Sequence, residues 1–233
     1  MAAFVLVHGA FQGGWVWKDV AKGLRAAGHE AHAPTLTGCG YLEHGMVQGM
    51  DLNAYVQDVL RYIEDEELED AILVAHSYSG MVCGAVLMAL PEDKRRLISV
   101  DAAIPDSDKC FAGLAGEPFR QMLEKFRLDS WRIKPWGLPV FGVEGEKAEW
   151  FENRLRPFPR EAFERPFPGA FRPASIRAVH ISCKDTAAPF IRKMADKAVS
   201  AGWPLLTMDG GHCPMVMRPG ELTGLLLDAA ERL

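Results

Sequence analysis

The sequence predicts an α/β fold, a doubly wound and mostly parallel six-stranded sheet with an inserted, mainly helical cap. Three observations predict it. Short apolar, β-branched runs alternate with helical stretches up to residue 104 and again from residue 174, the pattern of parallel strands joined by crossover helices. Between them, residues 105–173 lose the alternation yet hold nine of the 15 prolines and 12 of the 22 aromatic residues. The conspicuous polar residues all follow runs that read as strands, where sheets of this class bind ligands. The expected division is a core of residues 1–104 and 174–233 and a cap of residues 105–173.

The elements follow in order. Phe4-Val5-Leu6-Val7 reads as a buried strand ending at His8-Gly9. Trp15 to Ala27 has helical spacing and stops at Gly28, and His29 to Ala33 is a weaker strand closed by Pro34. Leu52 to Glu66 is an amphipathic helix with Leu52, Val56, Val59, Leu60 and Ile63 on one side. Ala71 to Ala75 is a strong buried strand, and Ser79 to Leu90 a small-residue helix able to pack closely on a sheet. Leu97 to Val100 is the next strand. A 69-residue structureless loop has no place in a compact domain. Residues 105–173 are therefore expected to hold short helices, such as Phe119 to Phe126 and Ala148 to Leu155. Then come a strand, Ile176 to Ser182; a helix, Pro189 to Ala201; a strand, Leu205 to Met208; and a last helix, Gly220 to Leu233.

Composition narrows the function classes. A chain of 233 residues, 48% hydrophobic and 24% charged, can bury a substantial core. Net charge is −5 with no basic stripe, which argues against a nucleic-acid partner. Five cysteines, an odd number without a CxxC pair, argue against a disulfide framework and suit a reducing cytoplasm. The N-terminus lacks a basic segment ahead of its apolar run, so no signal peptide is expected. The longest apolar stretch, Met81 to Leu90, is too short to span a membrane. Oligomeric state stays open between monomer and homodimer.

The sharpest chemical signal is Ala75-His76-Ser77-Tyr78-Ser79. A nucleophile on a tight strand-to-helix turn needs small residues two positions to either side, and Ala75 and Ser79 make a relaxed version of G-x-S-x-G. A competing reading makes Ser77 or Ser79 a helix cap. A serine hydroxyl also needs a base and an acid that orients it. His212, on the glycine-containing loop after the last strand, is the expected base. Asp185, directly after the preceding strand, is the preferred acid and gives the chain order Ser, Asp, His. Asp101, at the end of the strand Leu97 to Val100, is its rival. The backbone amides of Tyr78 and Ala10 are the expected oxyanion donors, Ala10 lying in the loop His8-Gly9-Ala10-Phe11-Gln12-Gly13-Gly14. That loop matches neither G-x-G-x-x-G nor a P-loop. No metal or cofactor is expected, since H-E-x-x-H is missing and His29 and His32 have no third ligand nearby.

Phe4 to Ala10 with Gly13-Gly14-Trp15-x-Trp17, the turn at Ser77, Val100-Asp101-Ala102, Asp185 with Pro189, and Gly211-His212 with Met215 and Pro219 resemble one known group. It is the plant methylesterase and hydroxynitrile lyase branch of the α/β-hydrolases, with its bacterial esterase relatives. The resemblance covers nearly the whole chain. It implies the α/β-hydrolase fold, Ser77 as nucleophile, Asp185 as acid, His212 as base, and Ala10 and Tyr78 as oxyanion donors. The lyases carry Thr where this chain has Gly9, and Lys where it has Cys213. The resemblance therefore implies an esterase, without a cation to stabilise departing cyanide.

The expected activity is hydrolysis of small, partly apolar carboxylic esters through an acyl-enzyme. Phe11, Phe119, Trp131, Trp136 and Phe141 are expected to line the substrate pocket. The alternatives are a lyase or a C–C or amide-bond-cleaving enzyme on the same site, or a non-catalytic small-molecule receptor on this fold.

Overall fold

The computed structural model describes residues 1–68 and 70–233. Its core is a six-stranded sheet of β1 (Ala3–Val7), β2 (Glu30–His32), β3 (Ile72–His76), β4 (Arg96–Val100), β7 (Arg177–Cys183) and β8 (Leu205–Met208). The spatial order is β2-β1-β3-β4-β7-β8, and every neighbouring pair is parallel. The sheet is thus wholly parallel rather than mostly so. Parallel central strands are covered on both faces and read as continuous apolar runs. Accordingly Phe4 to Val7 and Ile72 to His76 are buried throughout.

The covering helices are α1 (Lys18–Ala26), α2 (Leu52–Asp65), α3 (Ser79–Ala89), α10 (Met194–Ser200) and α12 (Pro219–Glu231). A 3-10 turn over Gly14–Trp17 leads into α1, so the helix expected from Trp15 begins three residues later. Asp51 caps α2 by accepting the Asn53 N–H at 2.8 Å, and Leu52, Tyr55, Val56, Val59 and Ile63 form its buried stripe. The stretch expected as one helix from Pro189 is broken into α9 (Pro189–Arg192) and α10. The short α11 (Pro214–Met217) follows the loop after β8.

Between β4 and β7 lie α4 (Phe111–Ala115), α5 (Glu117–Lys125), α6 (Leu138–Phe141), α7 (Ala148–Glu152) and α8 (Arg160–Glu164), with a two-stranded antiparallel ribbon of β5 (Arg132–Ile133) and β6 (Phe158–Pro159). Prolines occupy the first turns of α5 and α6, where the missing N–H costs nothing. Proline density here marks short helix starts rather than disorder. The aromatic residues form the interior of this insertion: Phe111, Phe141, Phe151, Phe158, Phe163 and Phe167 are buried.

Several contacts dock the insertion on the sheet. Phe158 stacks on Tyr55 of α2, with ring centroids 5.3 Å apart. Tyr78 Oη–H donates to Ala162 O at 2.8 Å, and Arg156 N–H to Phe11 O at 2.9 Å. Lys197 of α10 holds Ile104 O and Asp106 at the insertion's start. Because the sheet is wholly parallel, the carboxyl ends of β1, β3, β4, β7 and β8 share one edge, and Phe111, Phe119, Trp136 and Phe141 of the insertion line a cavity there with Ala10 and Ser77. Among the described residues no helix is long and apolar enough to cross a membrane.

Candidate active site

Ser77 follows β3 directly and turns the chain into α3 with φ of 57°. A non-glycine residue in that left-handed region is strained, and the strain lifts the hydroxyl off the strand end. The turn is held by its neighbours. Ser79 Oγ accepts the His76 N–H at 2.8 Å and lies 2.8 Å from Val7 O on β1. Ser79 is therefore a cross-strand brace and not a helix cap. Ser77 O accepts the N–H of Ala103 at 2.9 Å, tying the turn to the chain leaving β4. A Cβ at Gly9 would sit 3.0 Å from Ser77 Cβ, so the loop after β1 passes right against the serine.

Ser77 Oγ–H donates to His212 Nε2 at 2.8 Å. His212 Nδ1–H donates to Asp101 Oδ2 at 2.7 Å. The side chains of His212 and Asp101 are 6% and 0% exposed, so water does not compete for this second bond. His212 thus meets Ser77 on one nitrogen and a carboxylate on the other, and that carboxylate is Asp101.

Asp101 replaces Asp185 as the carboxylate on His212, and this corrects the expectation from the sequence. β4 lies beside β3, so its end is next to Ser77, with Asp101 turned at φ of 46°. Three donors surround its carboxylate: Cys183 N–H on Oδ1 at 3.2 Å, and Thr186 Oγ–H and His212 on Oδ2. Burial pushes the Asp101 carboxyl up. The hydrogen bond and charge of His212, with Thr186 and Cys183, outweigh that and hold it below the usual carboxylate range. Asp185 points the other way. It is exposed, and its Oδ2 accepts the Gly210 N–H at 3.0 Å while its own N–H donates to Gly210 O. In the loop after β7 the inward position belongs to Thr186, and Asp185 braces the loop that carries His212.

A second histidine steadies that loop. His76 Nε2–H donates to the main-chain O of His212 at 2.6 Å, and the two rings lie 4.7 Å apart. Burial, then the neighbouring His212, push the His76 pKa down to about 3, so it is a neutral donor. His8 is likewise held neutral by burial, with its pKa lowered to about 4. It donates from Nδ1 to Gly9 O at 2.8 Å and accepts the Leu36 N–H on Nε2. Sequence reading missed both roles, because neither histidine bonds Ser77.

The amides of Ala10 and Tyr78 lie outside the sheet and helices, and among the described residues neither donates to a protein acceptor. Ala10 and Ser77 open on a cavity of about 440 Å³. Phe11, Phe119, Trp136 and Phe141 line it as expected, together with Phe111, Met122 and Phe190, which the sequence did not single out. Trp136 meets Phe11 edge-on at 4.8 Å and Phe119 at 5.9 Å. Trp131 is not part of this wall, which corrects the remaining pocket residue. It sits half-buried at the start of the β5–β6 ribbon, under the Arg132 guanidinium. The polar groups on the cavity wall are Ser77, His212, Gln12 and, exposed at the rim, Lys193. Cys213 is fully buried and accepts a hydrogen bond from Gln12 Nε2 at 3.3 Å. Burial pushes its thiol far up, so it is neither a cation nor a nucleophile.

The model of the alpha/beta hydrolase family matches residues 4–223. The carbendazim hydrolyzing esterase of a Nocardioides species is 34% identical, over 95% of this chain and 97% of its own. Methylesterase 7 of Arabidopsis thaliana is 26% identical, over 98% and 96%. Among solved structures, an extracellular alpha/beta-hydrolase from a Paenibacillus species superposes with a TM-score of 0.87 at 20% identity, covering 98% of this chain and 99% of that one. It is described as sharing structural and functional homology with tobacco salicylic acid binding protein 2.

Proposed function

The chain belongs to the alpha/beta hydrolase family, and we propose that it is a serine hydrolase of small, uncharged, partly apolar carboxylic esters. One observation carries this reading: the unbroken hydrogen-bond chain Ser77–His212–Asp101, opening at the floor of an apolar cavity. Its relatives named as esterases support the reaction class.

In the proposed reaction Ser77 Oγ attacks the ester carbonyl carbon as His212 Nε2 takes its proton. Asp101 fixes the tautomer that leaves Nε2 free to accept, and stabilises the imidazolium that forms. The amides of Ala10 and Tyr78 bind the oxygen as it gains charge, a contribution of about 3 kcal/mol per donor in comparable sites. His212 returns the proton to the leaving alcohol. A water molecule, deprotonated by His212, then attacks the acyl-enzyme and releases the acid, and Ser77 recovers its proton. Residues 105–173 act as a cap that shapes the acyl and alcohol sites and excludes water. The five free thiols suit a reducing, cytoplasmic setting.

The test is labelling with a fluorophosphonate, read by intact mass on the wild type, Ser77→Ala and His212→Ala. A single adduct on the wild type that is lost in both variants is the expected result. A folded wild type that takes no adduct and hydrolyses no member of an ester panel would refute the proposal.

A further inference from the structure

Gln12 joins the two loops that carry the reactive groups. Its Oε1 accepts the Gly9 N–H at 3.2 Å, and its Nε2 reaches Cys213 Sγ at 3.3 Å. Gly9 precedes Ala10 in the loop that would hold the carbonyl oxygen, and Cys213 follows His212. The side chain is 1% exposed and lines the cavity. Its orientation is fixed by chemistry, because reversing the amide would set an NH2 group against the Gly9 N–H.

A primary carboxamide carries two N–H donors. One faces the Cys213 sulfur, a weak acceptor. Among the described residues nothing accepts the other. A buried donor left without a partner costs free energy that a bound acceptor would recover. Gln12 lines the substrate cavity, and its two partners, Gly9 and Cys213, directly neighbour the proposed oxyanion residue Ala10 and the proposed base His212. The rest of the wall is apolar apart from Ser77, His212 and the rim Lys193.

We propose that Gln12 determines specificity within the esterase reading, its second N–H donating to a hydrogen-bond acceptor on the acyl part of the substrate, within two bonds of the scissile carbonyl carbon. The acyl part is the side addressed because Gln12 belongs to the carbonyl-binding loop, whereas the alcohol leaves beside His212 Nε2. The substrate class is thus esters of acids with an adjacent heteroatom acceptor, such as a ring nitrogen ortho to the carboxyl carbon. Plain aryl or alkyl esters fit the apolar wall but leave this donor unmatched.

Methyl pyridine-2-carboxylate and methyl pyridine-4-carboxylate test this, since both rings activate the ester and only the first places its nitrogen next to the carbonyl. The measured quantity is the ratio of kcat/KM for the two esters, divided by the ratio of their hydroxide-catalysed rates. It is expected to be about tenfold in favour of the 2-isomer in the wild type, the effect of one neutral hydrogen bond. Gln12→Met, nearly isosteric, is expected to bring it to unity. Gln12→Glu keeps an acceptor for Gly9 but offers no donor, and is expected to favour the 4-isomer. Gln12→Met loses the Gly9 and Cys213 contacts and Gln12→Glu the Cys213 contact, and any slowing common to both esters cancels in the ratio. A wild-type value near unity, or one unchanged in Gln12→Met, would overturn the inference, and the wild-type value decides alone if a variant does not fold. Phosphonylation of Ser77 separates the two readings: labelled enzyme without the preference loses only this inference, while unlabelled, inactive enzyme loses the esterase reading too.

Discussion

Replacing Asp101 and Asp185 in turn by Asn separates the two carboxylates, and the structure dictates how each amide must sit. Asp101 Oδ1 accepts the Cys183 N–H, so in Asp101→Asn that position must remain an oxygen. The NH2 group is then forced into the place of Oδ2, facing Thr186 and His212 Nδ1. A donor there drives the imidazole proton from Nδ1 to Nε2. The nitrogen that should take the Ser77 proton is then already protonated. In serine hydrolases that tautomer error costs about 10⁴-fold in kcat, or about 5 kcal/mol of barrier. Asp185→Asn should change kcat less than about threefold, because an amide oxygen can still accept the Gly210 N–H on an exposed turn. The assay is steady-state hydrolysis of an activated ester such as p-nitrophenyl acetate, with near-UV circular dichroism to confirm folding. If Asp101→Asn stayed within about tenfold of wild type while Asp185→Asn lost most activity, the assignment of the acid would be wrong.

Two further outcomes follow from burial. His8, His76 and His180 are buried with pKa values lowered to about 4, 3 and 4 from 6.5, so the unfolded chain binds protons that the folded chain refuses. Stability is therefore fully present above pH 6.5 and is lost as pH falls toward 4, by about 5 kcal/mol between pH 7 and pH 5; urea midpoints that stay constant over that range would contradict it. A Cβ on Gly80 would lie 1.9 Å from Ala103 O, where α3 crosses the chain leaving β4. Gly80→Ala should thus cost about 3 kcal/mol and pull the Ser77 turn from Ala103, and a melting temperature equal to wild type would show that this approach is not needed.

The core strands were legible because a parallel sheet buries both faces, so Phe4 to Val7 and Ile72 to Ala75 are apolar without interruption. In the insertion two short helices were legible, Phe119 to Phe126 close to α5 and Ala148 to Leu155 overlapping α7, but its packing was not, because that order is nonlocal. β5 and β6 pair only two residues each, too few for an alternation to register. Phe11 meets Trp136, and Tyr55 meets Phe158, across more than a hundred residues of chain. Aromatic density could announce an interior but not say which rings would face the cavity. That is why Trp131 was expected there and Phe111 was not.

The carboxylate that meets His212 is more instructive, because the sequence held a cue that chain order concealed. Asp185 satisfied the expected succession of Ser, acid and His, yet it lies between Lys184 and Thr186, in a stretch polar enough for a surface turn. Asp101 is followed by Ala102, Ala103 and Ile104 and preceded by Ile98 and Val100, a run the fold buries almost completely. A carboxylate in such a run cannot stay solvated, so the chain must supply it with donors or a partner charge. At the carboxyl end of the strand beside Ser77, the available partner is the histidine that the serine itself requires. Burial forces the pairing, whereas position after a strand only permits it. The order of motif residues along a chain says which topologies are allowed. The apolar context of each carboxylate says which one must be ionised, enclosed and hydrogen-bonded, and here that context selects Asp101.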